Sequence, residues 1–263
     1  LFNSQKKYNA FLVILIFLLL TGHQARAQTE GPTKQLPVIV IILDDIGNQL
    51  QTGIRVLQLP GKLNIGILPH TPNSEILAEM APAAGKEVIL HAPMSNSRNK
   101  RLGPGALTSH MPEQAFRDSL NSSIASTPHV RGLSNHMGSE LTSKRQPMEW
   151  VMESLAQQGL YFVDSRTSPN TVAAEVAKEY KVPHLSRRVF LDNVQETSAV
   201  EQQFNKLMDY ARAEGVAVAI GHPYPVTLSY LEEKLPVLRA EGFRLALVSE
   251  VLAQQSAANT LED

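Results

Sequence analysis

The chain has 263 residues, 43% of them apolar, and its 24 Lys and Arg nearly balance 25 Asp and Glu to give a net charge of −1. This balance, without any basic run interleaved with aromatic residues, argues against a nucleic-acid partner. The sequence contains no cysteine, which excludes disulfides, thiolate metal sites and a cysteine nucleophile. A chain of this length and apolar content can bury the core of one large domain or two small ones.

The first 27 residues have the layout of a secretory signal peptide. Two lysines precede the apolar run 10–20, and Ala-Arg-Ala, ending at Ala27, fits a small-x-small cleavage site. The run is shorter than the about 20 residues of a membrane span, although an uncleaved N-terminal anchor is the alternative. We expect cleavage after Ala27, no membrane span in the mature chain, and a periplasmic or secreted protein. Residues 28–37 are then a polar linker.

Residues 38–263 are predicted to form a single domain, in which short apolar runs alternate with longer amphipathic segments. The predicted strands are Val38–Leu43, Leu63–Leu68, Glu87–Leu90, Gly132–Ser134, Leu160–Val163, Leu185–Leu191, Val216–Ile220 and Phe243–Val248. The predicted helices cover 48–59, 73–85, 111–126, 146–159, 168–180, 198–215 and 226–242. This alternation predicts an α/β fold, a (β/α) barrel of seven to eight parallel strands, regular or distorted. An open doubly wound sheet is the alternative, but no glycine-rich phosphate loop follows the first strand.

Reactive side chains recur where the predicted strands end, the edge that carries the active site in such barrels. They are Asp44, Asp45, His70, His91, His136, Asp164, Arg166, Asp192 and His222. Each alone is as easily a helix cap or a structural histidine. Together, two adjacent carboxylates and several imidazoles on one rim need a compensating charge. Imidazole and carboxylate suit zinc, so the pattern predicts a divalent metal site in which one Asp of the pair is a ligand and the other a free base.

Several motifs resemble those of the NodB-type polysaccharide deacetylases. "VIVIILDDIG" (38–47) is similar to their first motif, "AAGKEVILHAPM" (83–94) to their second, and "AVAIGHPYP" (217–225) to their last. The divergent polysaccharide deacetylase subfamily is more similar still. "ILPHTPN", "NHMGS" and "YFVDSRTSP" read like its motifs, and the resemblance covers roughly residues 36–254. It implies a distorted, NodB-like (β/α) barrel.

The resemblance also implies catalytic roles. The first Asp of the family's first motif is the general base, which falls on Asp44. The final histidine is the general acid, which falls on His222. An Arg that steadies the base and an Asp that steadies the acid recur in the family, and "VDSRT" supplies them as Arg166 and Asp164.

The metal ligands follow in the same way, with one departure. The second Asp of the first motif falls on Asp45 and the first His of the second motif on His91. The second His of that motif belongs at position 95, where this chain has Ser95. The predicted third ligand is therefore His136, with His70 or the final histidine as alternatives. The expected metal is Zn²⁺.

The leading functional hypothesis is an exported metal-dependent hydrolase that removes N-acetyl groups from an envelope or extracellular glycan. One alternative is a non-catalytic glycan-binding or envelope-interaction protein on the same fold, because fold alone does not decide function. Another is a metal-dependent hydrolase of esters or phosphoesters. The chain has one Trp and 6% aromatic residues, which favours a short or single-residue substrate over a long sugar-stacking platform.

Overall fold

The structure is a computed structural model that describes residues 36–262. The predicted signal peptide, residues 1–27, lies outside the described residues, as does nearly all of the predicted linker. Within the described residues, no helix is both long enough and apolar enough to cross a membrane.

A single parallel sheet forms the centre of the described domain. Its strands are β1 (Val38–Ile46), β2 (Leu63–Ile67), β3 (Lys86–Met94), β4 (Val130–Met137), β5 (Tyr161–Asp164), β6 (His184–Ser186), β7 (Val189–Phe190), β8 (Val216–Gly221) and β9 (Arg244–Leu245). Eight of them follow the order β6-β5-β4-β3-β2-β1-β8-β7, and β9 pairs with the beginning of β1. Strands consecutive in sequence are neighbours along most of this path. This order confirms the predicted barrel over an open doubly wound sheet.

Eight α-helices of the described residues connect or follow the strands. They are α1 (Leu50–Gln58), α2 (Ser74–Met80), α3 (Glu113–Ala125), α4 (Arg145–Gln158), α5 (Ala173–Glu179), α6 (Thr197–Glu214), α7 (Pro225–Lys234) and α8 (Val248–Glu262). Short 3₁₀ turns at Pro82–Ala84, Leu141–Ser143 and Leu235–Val237 complete the connections. The first seven helices correspond to predicted ones, and α8 was not predicted.

β6 and β7 stand at the two ends of the sheet and do not pair with each other. We call the place where the chain passes from one to the other the seam. The sequence predicted one strand over Leu185–Leu191, but the chain there changes partners. The backbone N–H of Arg187 donates to Asp164 on β5, and that of Arg188 donates to Val218 on β8. Two residues therefore carry the chain from one end of the sheet to the other, and the result is a curled, incompletely closed barrel.

Strand β1 is buried on both faces, which explains its unbroken apolar run. Ile39 and Ile41 pack in a cluster with the helices outside the sheet. Val40 and Ile42 belong to a second cluster in the barrel interior, whose buried strand residues come from β1, β3, β5 and β8. Alternate β1 residues therefore point into the barrel. This alternation continues to the carboxyl ends of the strands, which form the mouth of the barrel.

The last predicted strand, Phe243–Val248, is shorter than expected. Only Arg244–Leu245 pairs with β1, and α8 begins at Val248. The backbone N–H of Val248 donates to Asn64 Oδ1 at 3.0 Å, and that of Ser249 donates to Glu87 Oε1 at 3.0 Å. Two buried side chains of the sheet thus satisfy the first N–H groups of α8, which fixes the start of the helix.

Candidate active site

Two features of β1 bring Asp44 and Asp45 to the same place. Asp44 continues the inward alternation of Val40 and Ile42 and is almost fully buried. Asp45 lies within an irregularity in the pairing of β1 with β2 and has a left-handed backbone with φ of 62°. A bulge of this kind re-aims the next side chain. Adjacent carboxylates that would point to opposite faces of a regular strand therefore both reach the barrel mouth.

Asp45 meets two histidines there. Its Oδ1 lies 2.8 Å from His136 Nδ1 and 3.4 Å from His91 Nε2, and the two ring nitrogens are 3.3 Å apart. His91 comes from β3 and His136 from β4, whose mouth residues are paired in register. Burial alone would raise the pKa of Asp45, but the two imidazoles outweigh it and hold the pKa far below its usual range. We call Asp45, His91 and His136 the donor trio.

The donor trio fits a divalent metal ion. Three donor atoms bound to a four-coordinate zinc at 2.0–2.1 Å lie about 3.3 Å from one another, close to the separations in the trio. Ser134 Oγ lies 2.8 Å from His91 Nδ1. An Nδ1–H that donates to this hydroxyl leaves Nε2 unprotonated, the form that binds a cation, and fixes the ring. Nitrogen and oxygen donors together suit zinc or another transition metal.

Asp44 lies beside the donor trio, and neighbouring atoms leave little room around its carboxylate. Its Oδ1 is buried, is 3.4 Å from His91 Nδ1, and accepts no hydrogen bond from the described residues. A Cβ atom on Gly66 would stand 2.0 Å from this oxygen, so glycine is required there. Burial raises the pKa of Asp44, and nearby His91 and His222 only partly offset that rise.

His222 follows β8 and is held by a buried carboxylate. Its Nδ1 lies 2.9 Å from Asp192 Oδ1, and its backbone N–H donates to Asp192 Oδ2 at 2.5 Å. Thr227 Oγ1 donates to the same Oδ2 at 2.9 Å. Nε2 of His222 is left facing the trio, 4.0 Å from Asp45 Oδ2. Burial lowers the pKa of His222, but the bond and charge of Asp192, with Asp45 and Asp44, outweigh burial and raise the pKa to about 9.

Aromatic rings flank the His222 imidazole on two sides. Phe190 is nearly parallel to it, with ring centroids 6.1 Å apart, and Tyr224 is tilted at 5.6 Å. The Arg187 guanidinium lies 3.8 Å from the Phe190 ring centroid and donates to the carbonyls of Ser165 and Arg166. The His222 imidazole is therefore held in place by the neighbouring aromatic rings as well as by its hydrogen bond with Asp192.

The structure places Asp164 and Arg166 away from the predicted roles. Asp164 follows Phe162, whose side chain lies in the outer core, by two residues and so shares its outward face. Its carboxylate accepts from the Arg166 backbone N–H at 2.8 Å and from Thr171 Oγ1 at 3.1 Å. The Arg166 side chain is exposed, and no ion pair among the described residues joins it to Asp44. Asp192 lies beside His222, in the place where the sequence predicted Asp164.

His70, an alternative third ligand, is not part of the trio. It is exposed after β2, with φ of 55°. Ser95, at the position where the resemblance places the second metal-binding histidine, directly follows β3, and its backbone N–H donates to the Leu107 carbonyl. On the neighbouring strand, His136 is the residue whose ring nitrogen lies with Asp45 and His91 in the group that could hold a metal ion.

The model of the divergent polysaccharide deacetylases matches residues 41–252. The chain belongs to this family. It is 34% identical over 195 residues to the uncharacterized protein YibQ of Escherichia coli (strain K12), in a match that covers 74% of this chain. The chain spans 61% of the length of that relative, less than two thirds.

Two solved structures agree with the family assignment. An uncharacterized protein from Agrobacterium tumefaciens C58 has a TM-score of 0.80 at 19% identity, over 84% of this chain and 91% of that one. The catalytic domain of the peptidoglycan N-acetylglucosamine deacetylase from Eubacterium rectale ATCC 33656 has a TM-score of 0.52 at 16% identity, over 85% and 92%. These likenesses confirm the NodB-like deacetylase barrel.

Two cavities open on either side of Asp45. One, of about 390 Å³, is bordered by Asn48, Thr52 and Tyr224 on the side of His222. The other, of about 300 Å³, is bordered by His136 and by Leu102 from the loop after β3. Asp45 and Asn48 line both. The donor trio therefore lies between two spaces, each of a size that accepts a small ligand.

Three residues of this site were not singled out by the sequence analysis for the places they occupy. Asp192 was noted only as a strand end, and Ser134 and Gly66 not at all. The alternation of side chains along a strand could have identified two of them, because residues two apart share a face. Asp192 is two residues after Phe190, and Ser134 is two residues before His136. Gly66 has no sequence signal of its own, since its role depends on a neighbouring strand.

Proposed function

We propose that this protein is a metal-dependent deacetylase that removes N-acetyl groups from an envelope or extracellular glycan. One observation carries the proposal: three atoms that could bind a metal, a buried carboxylate and a histidine held by a second buried carboxylate converge on one barrel mouth. A glycan-binding surface needs neither an acid nor a base. A hydrolase of acetamides needs both, because water must lose a proton and the departing amine must gain one.

The donor trio would hold the metal, with zinc as the first candidate. Zinc bound there would polarise a substrate carbonyl and lower the pKa of a neighbouring water molecule. Three protein ligands leave room for water and substrate, as catalytic rather than structural zinc sites do. The hydrogen bond between Ser134 Oγ and His91 Nδ1 would hold the His91 ring in the orientation that presents Nε2 to the metal.

Asp44 is the general base in this proposal. It lies beside Asp45, and its Oδ1 has no hydrogen-bond donor among the described residues, so a reacting water can supply one. Burial disfavours the ionised carboxylate in the protein alone. A cation held by the neighbouring trio favours the ionised form, since opposite charges lower the pKa of a carboxyl group.

His222 is the general acid. A pKa near 9 keeps its imidazole protonated at neutral pH. Asp192 binds Nδ1, so the proton on Nε2 faces the trio and can pass to the leaving amine nitrogen. Asp192 is thus a positioning residue for the acid, the role that the sequence analysis assigned to Asp164.

Acetate release tests the proposal. The zinc-loaded protein is incubated with N-acetylglucosamine oligosaccharides and, separately, with O-acetylated oligosaccharides. Wild type is expected to release acetate from the N-acetylated chains. His91→Ala should not, whereas His70→Ala, a rim histidine outside the trio, should keep full activity. Release from O-acetylated chains alone would make the protein an esterase. Binding without any release would make it a non-catalytic glycan-binding protein.

The proposal also places the protein outside the cytoplasm. The support is the composition of residues 1–27, with two lysines, an 11-residue apolar run and a small-x-small end. Mass spectrometry of the exported protein should find an N-terminus at Gln28. An N-terminus before Ala27 would contradict the cleavage.

A further inference from the structure

The loop after β3 is folded against the strand that carries His136. Asn96, a buried residue, accepts hydrogen bonds from the backbone N–H groups of Arg98 and Lys100, at 3.1 and 3.0 Å. Its amide nitrogen lies 3.3 Å from the sulfur of Met137, the residue after His136. The N–H of Ser97 donates to Ser139 Oγ at 3.1 Å. The loop backbone therefore has a defined place at the barrel mouth.

The same loop forms a wall of the cavity beside the donor trio. Leu102, Gly103 and Pro104 border the cavity of about 300 Å³, opposite Asp45 and His136. A ligand in this cavity touches the metal-binding residues on one side and the loop on the other. We call residues 97–104 the basic loop.

The basic loop concentrates positive charge that nothing in the described chain neutralises. Arg98, Lys100 and Arg101 are exposed, and none of them forms an ion pair with a residue of 36–262. Glu140, whose backbone N–H donates to Ser95, turns its carboxylate to Ser109 at 2.5 Å and toward Lys144 at 3.9 Å instead. Three like charges within four residues repel one another, and an anionic ligand would offset that repulsion.

The cavity on the other side of Asp45 differs in character. Apart from Asp45, its lining is uncharged and includes Asn48, Gln49, Thr52 and Tyr224. The net charge of −1 for the whole chain conceals this local asymmetry. No Lys or Arg lines the cavity on the His222 side, whereas Arg101 directly precedes Leu102 in the lining of the cavity on the His136 side.

We propose that the basic loop selects an anionic glycan, one whose sugar next to the deacetylated residue carries a carboxylate or phosphate group. This inference rests on the proposed function, since it names the substrate class of the same site. The anionic group lies on the His136 side, next to the basic loop. A membrane surface is the competing anion, but surface helices and loops that bind membranes also bury apolar side chains. None of the exposed large apolar residues, Leu36, Ile76, Met80, Val194 and Val237, is on the loop.

Binding of chains without acetyl groups tests this inference independently of turnover. The zinc-loaded full chain is titrated calorimetrically with neutral cellotetraose, with its analogue carrying a carboxylate at each C6, and with its analogue carrying a phosphate at each C6. We expect an anionic analogue to bind about tenfold more tightly than cellotetraose at low salt, as three exposed charge contacts allow. The preference should vanish near about 1 M salt, where screening acts over about 3 Å. The two anionic arms tell which group is selected.

Matched variants locate the effect. Replacing Arg98, Lys100 and Arg101 together by Gln should abolish the preference and leave the affinity for cellotetraose unchanged. Replacing Lys178, Lys206 and Arg239 by Gln removes the same charge from exposed positions on α5, on α6 and after α7, and should leave the preference intact.

Three results would overturn the inference: equal affinity for neutral and anionic chains, no binding of the anionic chains, or a preference that survives in the loop variant. Loop-dependent binding to vesicles of phosphatidylglycerol and phosphatidylcholine in equal parts, without a glycan preference, would assign the loop to a membrane. Failure of acetate release with the binding preference intact would refute the deacetylase and not the anionic ligand.

Discussion

Replacing Asp192 by Asn removes the charge that keeps His222 protonated. In the folded protein the pKa of His222 is raised from 6.5 to about 9, against the opposing effect of burial. This difference corresponds to about 3 kcal/mol at most of favourable interaction with the imidazolium. Because the folded-state pKa lies above the ordinary value, the stabilisation is complete below pH 6.5 and is lost as pH rises through about 9. Asp192→Asn should lose most of it.

The assay is an NMR titration of His222 in metal-free protein, with chemical denaturation at pH 6 and at pH 10. In Asp192→Asn the pKa should fall toward 6.5, and the free energy of unfolding should drop more at pH 6 than at pH 10. Thr227→Val is the control, because it removes one hydrogen bond to Asp192 and leaves the carboxylate charge in place. A His222 pKa that stays near 9 in Asp192→Asn would refute the role given to this carboxylate.

The remaining predictions concern the metal, the base and its surroundings. His136→Ala should lower zinc affinity by more than about 100-fold, as expected for a ligand, and His70→Ala should not; full zinc content in His136→Ala by elemental analysis would place the third ligand elsewhere. Asp44→Asn should retain zinc and lose turnover by about 100- to 10,000-fold, and loss of zinc instead would make Asp44 a ligand. Gly66→Ala should displace the Asp44 carboxylate, lower kcat with zinc retained, and destabilise the fold by about 1–3 kcal/mol in urea unfolding; unchanged kcat would show that the carboxylate tolerates the methyl group.

The barrel and most of the residues at its mouth could be predicted from the sequence, because both depend on local patterns. Seven helices follow apolar periodicity, and the strand ends deliver Asp45, His91 and His136 to one edge as any parallel sheet does. The prediction that Asp164 steadies the general acid did not consider which face of its strand Asp164 lies on. That residue lies on the outward face with Phe162, while Asp192 follows the inward face with Phe190.

Other features depend on tertiary contacts that leave no local pattern. Among the described side chains of helix α8, Val248 and Val251 are buried, Leu252 is half-buried and residues 253–258 are exposed, so no apolar stripe marks the helix. The seam was predicted as one strand because no glycine or proline interrupts Leu185–Leu191, and the change of hydrogen-bond partners at Arg187 and Arg188 leaves no mark in the sequence. The left-handed backbone of Asp45 has no signal either, since Asp tolerates it without requiring it.

The seam between β6 and β7 also bears on how this protein avoids aggregation. An open sheet ends in two edge strands, and long flat edges can pair with other chains. Here the two end strands span His184–Ser186 and Val189–Phe190, and two residues join them. The backbone N–H groups of those two residues are already bonded within the sheet. The barrel thus stays incompletely closed and yet offers a second molecule very little unpaired strand to extend.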